Sequence, residues 1–350
     1  MLKLRRGTVV GTDPLAVEIA GDVRRAWADE LMVGAVELGD ELILNTAALD
    51  LSLGSGGFDV VHANLTRGLR GGDAEPGAHV MKLNYTSLQH AVEPLEEPAD
   101  APARPRRRIP VLVLPLHGHL APAAWAASAA AGGAPAKIGF LQAAGGALPG
   151  TLSRDVRDLR ERGLLHAHVT ASPSYGGELE AISAAGALHA AAEGLGWDAA
   201  IVGPGPGIIG SETRYGHGGM AALDAAHASL ALGLPTLLSP RLSAGDARPR
   251  HLGLSHHTRS VLALLLAGVA VPVPSELEEL WPAGDQGGAE ALRAACGELH
   301  ALRAEVADLE GYATSGLPTC TMGRDLAEDR LFFAAPLAAG AALAAAIAPG

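Results

Sequence analysis

The sequence contains little cysteine, few aromatic residues and little charge, and each shortage excludes a class of protein. Two cysteines, Cys296 and Cys320, are too few for a disulfide-stabilised scaffold or for a zinc site made of cysteine alone. Aromatic residues make up 3% of the 350 residues and the formal net charge is −12. We therefore expect no nucleic-acid partner, because phosphate would be repelled and base stacking would lack rings. Hydrophobic residues still make up 48% of the chain, which excludes disorder throughout.

Long unbroken apolar segments are missing as well. No apolar run of the signal-peptide kind follows the charged N-terminal residues 1–7. The best candidate for a membrane span is the tail, 331–348, but alanine contributes little insertion energy, and Pro336 and Gly340 interrupt the segment. The pattern favours a packed terminal helix instead. We therefore expect a cytoplasmic protein with no membrane partner.

The pattern of the chain changes at residues 93–108, a segment rich in proline and arginine that has the composition of a linker. Before it, in residues 1–92, short runs typical of strands alternate with turn residues such as Gly39-Asp40 and Gly56-Gly57. That pattern predicts a small β-barrel of the SH3-like or OB-like kind. Its strands are expected at residues 7–10, 15–19, 31–36, 41–44, 58–62 and 79–83.

Residues 109–350 follow a different pattern, in which strands of nearly continuous apolar character alternate with helices. Such strands are typical of a parallel sheet covered on both faces, so we predict a doubly wound, mostly parallel, Rossmann-like α/β domain. An apolar stripe from Leu292 to Leu309 predicts one C-terminal helix, which either caps the core or makes a contact in a homo-oligomer. The strands are expected at residues 110–116, 137–141, 167–171, 199–203, 236–239 and 269–273, with helices over 178–192 and 219–232.

Polar residues gather where these strands end, and ligands of open parallel sheets bind at the carboxyl ends of the strands. His117 and His119 follow the first strand of the domain, one residue apart, and would point the same way on an extended chain. That spacing suits a shared divalent metal or paired proton transfer, and the alternative is a structural role for each imidazole. Glu212, His256 and His257 lie in later loops and are candidates for catalytic acids, bases or ligands.

The longest loop follows the fourth strand of this domain. Residues 205–210 formally fit G-x-G-x-x-G, but no helix opens directly after them, so NAD is not the expected cofactor. The glycines allow either close approach of a ligand or simply a long turn. Arginines in this region can clamp a carboxylate or phosphate, although surface ion pairs are their commoner role. The candidate ligand-binding residues are Gly203, Gly205, Gly207, Ser211, Thr213, Arg214, His217 and Arg241.

Several short motifs of this chain are shared with a known family. The more specific ones are Ser255-His256-His257-Thr258 and Gly203-Pro204-Gly205-Pro206-Gly207, joined by His117-Gly118-His119 and Thr321-Met322-Gly323-Arg324. On these motifs the sequence resembles the bacterial family known as domain of unknown function 3866, over nearly the whole chain. The resemblance implies no activity and no catalytic residue, so the function has to be inferred from the side chains.

Two hypotheses of function follow. In the first, the protein binds or processes a small anionic ligand, bearing phosphate or carboxylate, at the carboxyl edge of the sheet, with a divalent metal as one candidate cofactor. In the second, the protein is a non-catalytic scaffold or regulator whose β-barrel docks a partner. The sequence alone leaves open whether the protein is an enzyme.

Overall fold

A computed structural model of the chain describes residues 2–54, 56–70, 72, 76–96, 98–129, 136–282 and 289–347. The chain divides into two compact units, residues 1–92 and residues 93–350. The first unit has one hydrophobic core, which includes Leu42 and Leu44, and the second has two cores, one on each face of a sheet.

The first unit is built around a closed five-stranded barrel. Its elements are β1 (Leu4–Thr12), β2 (Leu15–Ile19), β3 (Asp22–Trp27), α1 (Glu30–Val33), β4 (Glu41–Asn45), α2 (Ala47–Asp50), β5 (Asp59–Asn64), β6 (Val80–Lys82) and β7 (His90–Val92). The barrel order is β1-β2-β3-β5-β4, and its neighbouring strands are antiparallel except for β3 and β5. The small barrel predicted from the sequence is confirmed, and its Greek-key order is that of the OB-like kind.

Two local predictions in this unit are wrong. Residues 31–36, expected as a strand, instead contain part of α1, which starts with the acidic Glu30 in its first turn. Strand β3 is not predicted from the sequence, because Arg24 and Arg25 interrupt its apolar character. The Arg24 guanidinium pairs with Asp50 and Asp59.

The second unit contains an eight-stranded sheet in which every neighbouring pair is parallel. The strands are β8 (Val111–Val113), β9 (Ile138–Ala143), β10 (Ala167–Ala171), β11 (Leu179–Ala181), β12 (Ala199–Pro204), β13 (Thr236–Leu238), β16 (Ala270–Pro274) and β17 (Ala301–Glu305), with the short pairs β14 (Leu242–Ser243) and β15 (Gly253–Leu254), and β18 (Cys320–Thr321) and β19 (Arg324–Asp325). The helices are α3 (Leu120–Ala129), α4 (Arg154–Glu161), α5 (Ala184–Glu193), α6 (Ala221–Ala231), α7 (His256–Leu264), α8 (Leu277–Leu280), α9 (Glu290–Cys296), α10 (Leu309–Ala313) and α11 (Arg330–Ala346).

The sheet order is β11-β10-β9-β12-β8-β13-β16-β17, so the first strand of the unit lies in the middle. The chain first adds strands on one side of β8 and then on the other. Apolar side chains of α5, α6, α7 and α9 pack on one face, and those of α3, α4, α10 and most of α11 pack on the other. This is the doubly wound α/β arrangement that the apolar strands predict.

The C-terminal apolar stripe is not a single helix, and this prediction is wrong. The residues from Leu292 to Leu309 form α9, then strand β17, and then the start of α10. Gly297 ends α9 with a φ of 54°, a conformation that glycine adopts readily. The helix expected over 178–192 is also shorter than predicted. The first part of that range forms β11, and α5 begins only at Ala184, with Ser183 as its N-cap.

Residues 93–108, predicted as a linker, belong to the second unit, and several of those that the structure describes bond to its helices. The Glu96 carboxylate accepts two backbone N–H bonds just before α5 begins. His189 of α5 donates to the carbonyl of Pro102, and Arg104 donates to a carbonyl in the last turn of α6. These described residues are therefore fixed to the second unit instead of extending freely into solvent.

The C-terminal tail forms α11, which is buried along most of its length from Leu331 to Leu343. It packs so closely on α3 that a side-chain carbon on Gly340 would lie only 2.2 Å from the carbonyl oxygen of Ala123. This is the packed terminal helix that the sequence favours. Among the described residues, no helix combines the length and apolar character needed to cross a membrane.

Candidate functional site

A cleft of about 440 Å³ opens at the carboxyl ends of β12, β8 and β13, three neighbouring strands in the middle of the sheet. The loops that follow these strands form most of its wall, and the segment between β18 and β19 adds the rest. We name it the histidine–arginine cleft. Its lining residues are Leu116, His117, Gly118, residues 206–210, Glu212, His217, Arg241, Arg248, Arg250, His251, His256, His257, Thr321 and Met322.

Glycines in the loop after β12 serve packing more than ligand contact. A side-chain carbon on Gly205 would lie 2.3 Å from the carbonyl oxygen of Ala147, in the loop that follows β9. Gly203 lies within β12 against Leu114 and does not line the cleft. Gly207 does line it, with a φ of 72° that favours glycine. Of these three candidate ligand-binding glycines, one therefore faces the cleft.

The end of the same loop is a braced turn. The Ser211 hydroxyl donates to the carbonyl of Gly216 at 2.9 Å, and the Gly216 N–H donates to Thr213 at 3.0 Å. The Arg214 guanidinium is exposed and lies 5.4 Å from the ring centroid of Tyr215. The turn is thus shaped by Ser211, Thr213 and Arg214, none of which lines the cleft. The histidine after the turn, His217, does line it.

Four imidazoles pack together in the cleft. The rings of His217 and His257 are stacked, with centroids 3.8 Å apart and planes 9° apart. The ring of His256 lies 4.5 Å from that of His257 and 5.0 Å from that of His217, and His251 lies 4.9 Å from both His256 and His257. Helix α7 presents two of the four in its first turn, because its N-cap, Ser255, accepts the His257 N–H and starts the helix there.

Hydrogen bonds fix which nitrogen of two of these rings carries the proton. His217 Nε2 donates to the carbonyl of Arg214 at 3.1 Å, so Nδ1 keeps its lone pair. That Nδ1 atom is buried and has no partner in the part of the chain that the structure describes. His257 Nδ1 accepts from Arg241 Nη1 at 3.2 Å, so in the neutral ring the proton lies on Nε2.

The cluster is uncharged at neutral pH. Burial, with the nearby Arg241 charge adding to it, lowers the pKa of His257 to about 2 and the pKa of His251 to about 3. Burial also lowers the pKa of His217 and the pKa of His256, the latter with a contribution from His217. The four rings therefore offer neutral nitrogens to whatever occupies the cleft.

Arg241 is the most buried cation of the cleft, 4% exposed. Its Nη2 donates to Asp246 over a long 3.4 Å, and its Nε has no partner among the described residues. Burial is the main reason that the pKa of Arg241 falls to about 10, which still leaves the guanidinium charged. Asp246 accepts two further bonds from Arg248, at 2.8 and 2.9 Å, and lies 3.5 Å from Arg324.

His117 and His119 do not lie on an extended chain, as the sequence analysis expects, but in a 3-10 turn. His117 Nδ1 donates to the carbonyl of Pro204 at 3.1 Å, and its Nε2 lies 2.7 Å from the hydroxyl of Ser153. His119 is fully buried, and its Nδ1 lies 2.9 Å from the hydroxyl of Ser239. The two imidazoles are thus held by different serines, one after β9 and the other after β13, and only His117 lines the cleft.

The cleft brings together about half of the residues singled out from the sequence. Those that line it are His117, Gly207, Glu212, His217, Arg241, His256 and His257. Those that do not are His119, Gly203, Gly205, Ser211, Thr213 and Arg214. The sequence analysis misses Arg248 and Arg250, although the dense basic run 248–251 after β13 is a usable signal.

Comparison with known proteins gives one match. A family model described as "Protein of unknown function (DUF3866)" matches residues 25–340. The matched range contains every residue that lines the cleft. No curated protein and no solved structure matches the chain.

Proposed function

The chain belongs to the DUF3866 family, as its motifs indicate, and because that family's description assigns no activity we propose a function from the cleft itself. We infer that the protein binds a small anionic ligand in the histidine–arginine cleft through a carboxylate or phosphate group. The observation that carries this proposal is the buried, unpartnered Nε–H of Arg241.

A buried guanidinium normally fills its donors. Arg241 gives Nη1 to His257 and Nη2 to Asp246 over a long distance, and its Nε–H remains without an acceptor. Leaving a buried donor unpaired costs about 1–3 kcal/mol. Arg241 lines an open cleft, so an acceptor on a ligand that displaces the atoms covering Nε can recover that free energy. Carboxylate and phosphate oxygens match the fork geometry of a guanidinium.

The described ion pairs around Arg241 also favour an anion, whereas on another wall of the cleft the Asp155 carboxylate lies 3.8 Å from His117 Nε2. Four guanidinium groups and three carboxylates form these ion pairs: Arg241, Arg248, Arg250 and Arg324 with Asp246, Asp329 and Glu212. With the imidazoles neutral, one positive charge remains unbalanced in this network. A small anion placed against Arg241 would balance it.

Titration with inorganic phosphate, followed by calorimetry and thermal unfolding, tests the proposal. Arg241→Lys keeps the charge but loses the paired N–H donors of the guanidinium. We expect it to weaken phosphate binding at least tenfold, because a hydrogen bond to a charged group contributes about 1.5–3 kcal/mol.

Arg250→Gln is the variant that disturbs folding least, because Arg250 is half-buried and pairs only with the exposed Glu212 among the described ion pairs. We expect it to weaken binding by a smaller factor.

Arg214→Gln is the matched control, because it removes a guanidinium from the same region but outside the cleft. Phosphate affinity should be unchanged in this variant. Malonate, titrated in parallel, distinguishes a preference for carboxylate from one for phosphate. The proposal fails if neither anion binds the wild-type protein, or if all three variants lose the same affinity.

A further inference from the structure

Three imidazoles of the cleft form a compact set of nitrogen ligands. Side-chain nitrogens of His217, His256 and His257 all lie within 4.8 Å of one another. They come from two elements, the end of the loop after β12 and the first turn of α7. Imidazole nitrogens suit divalent transition metals, whereas Mg²⁺ and Ca²⁺ prefer oxygen. We propose that these three histidines bind a divalent transition-metal ion of the Zn²⁺ or Co²⁺ kind.

His217 already has the surroundings of a metal ligand. Its Nε2 donates to a backbone carbonyl, that of Arg214, which leaves the lone pair of Nδ1 free. Histidines that bind metals almost always donate their other nitrogen in this way. The residue is 7% exposed, and its Nδ1 is buried without a partner. A metal ion would satisfy a lone pair that is otherwise costly to bury.

The three nitrogens lie close together but have to move closer to bind one metal ion. In tetrahedral geometry, metal–nitrogen bonds of about 2.1 Å place two ligand nitrogens about 3.4 Å apart. The widest pair of the set therefore has to close by up to roughly 1.4 Å. His256, which is only partly buried, can rotate toward the other two rings. The stacked rings of His217 and His257, whose planes are 9° apart, also have to turn, because an imidazole binds a metal through a lone pair in its own plane. Since all three residues line the cleft, a further coordination position would open into it.

Metal binding would change what Arg241 does. The guanidinium donates to His257 Nδ1, and this bond is lost whichever nitrogen takes the metal. Metal on Nδ1 displaces the arginine, and metal on Nε2 leaves the ring proton on Nδ1. Nη1 of Arg241 then joins its Nε as a donor for an anion. The metal should therefore tighten anion binding, a consequence that rests on the proposed function, whereas metal binding itself does not.

Titration of EDTA-treated protein with Co²⁺, in the absence of phosphate, tests the site. We expect one Co²⁺ per chain, with the visible absorption of cobalt bound by nitrogen. His217→Ala and His256→Ala should each weaken Co²⁺ binding at least tenfold. His166→Ala is the control, because His166 is exposed and does not line the cleft. Circular dichroism checks the fold, and His256→Ala removes the least buried of the three rings.

A separate phosphate titration in EDTA distinguishes the two proposals. Phosphate binding without saturable Co²⁺ binding overturns the metal site and keeps the anion site, and the reverse result keeps only the metal site. Co²⁺ binding that survives in both variants also overturns the metal site. Tighter phosphate binding by Co²⁺-loaded protein supports the coupling through Arg241, and equal affinities with and without Co²⁺ contradict it.

Discussion

Buried imidazoles couple the stability of this chain to pH. Burial, with Arg241 adding to it, lowers the pKa of His119 to about 3, and burial lowers the pKa of His168 to about 4. Unfolding exposes both rings to water, where the pKa of histidine is about 6.5. Below that pH the unfolded chain binds protons that the folded chain does not bind. The folded state is therefore fully stable above about pH 6.5 and loses stability as the pH falls.

We expect the free energy of unfolding to fall between pH 6.5 and 5 for each such imidazole, with a slope that rises toward about 1.4 kcal/mol per pH unit as the unfolded ring becomes fully protonated. Urea denaturation at a series of pH values measures this slope. His168→Gln should reduce the slope by the contribution of one imidazole, because one proton fewer is taken up on unfolding. His166→Gln, which changes an exposed ring two residues away, should leave it unaltered. A slope that His168→Gln does not change would mean that His168 is protonated in the folded state.

Among the elements, the start of helix α4 is tied directly to the cleft. Ser153 is its N-cap and accepts the Val156 N–H at 3.1 Å. The hydroxyl of the same residue lies 2.7 Å from His117 Nε2, whose neutral ring accepts its proton because Nδ1 donates to a carbonyl. One serine therefore begins a helix and orients a ring of the cleft.

Replacing Ser153 removes both roles, and comparison with the loss of another N-cap separates them. Ser153→Ala should lower the free energy of unfolding by about 1–2 kcal/mol for the lost cap, and by about 1 kcal/mol more for the lost bond to His117. The comparison is Ser183→Ala, which removes the N-cap of α5 without touching the cleft. Thermal and chemical unfolding of both variants give the difference. If both lose the same stability, the bond to His117 makes no net contribution.

In the second unit, the strands that the sequence reveals are the ones covered on both faces. Strands such as β9 and β12 are buried along their length and form apolar runs. Strands β11 and β17 lie at the two edges of the sheet, where side chains are partly exposed, so their sequences carry no such run. Local periodicity also cannot distinguish an extended chain from the 3-10 turn that holds His117 and His119.

The sequence predicts the position of the cleft and part of its lining, but not how the lining residues pack against one another. The carboxyl ends of apolar strands locate the cleft, because parallel strands end at one edge of a sheet. The stacking of His217 on His257 depends on how the loop after β12 turns back and where α7 begins. No spacing along the chain encodes that contact. The role of Arg241 likewise becomes visible only through its burial and its missing partner.

At the scale of the whole molecule, every residue that lines the cleft belongs to the second unit. We expect a fragment of residues 93–350 to fold and to bind phosphate within about twofold of the full chain, a difference below about 0.5 kcal/mol. A fragment of residues 109–350 lacks Glu96 and Arg104, which bond near α5 and α6, and should unfold at lower temperature. Circular dichroism and calorimetry measure both properties. Loss of phosphate binding in a folded 93–350 fragment would show that the barrel contributes to the cleft.

The second hypothesis, a barrel that docks a partner, stays a prediction, as does the homo-oligomer. In the described part of the first unit, large apolar side chains such as Val23, Leu51, Leu53 and Tyr85 are exposed. Exposed apolar surface of this kind is common at interaction sites when it is contiguous. It is compatible with anion binding in the second unit, so the two hypotheses can both hold.

The contact of α11 with α3 makes the tolerance of this fold to mutation one-sided. Where two alanine-rich helices meet at backbone distance, as at Gly340 and Ala123, there is almost no side-chain volume to remove and no room to add any. Loss of a methyl group there costs about 1 kcal/mol of helix propensity, whereas one extra carbon has to push two helices apart. Sequence drift along this face is therefore confined to the smallest residues, and the helix pair resists gains in bulk more strongly than losses.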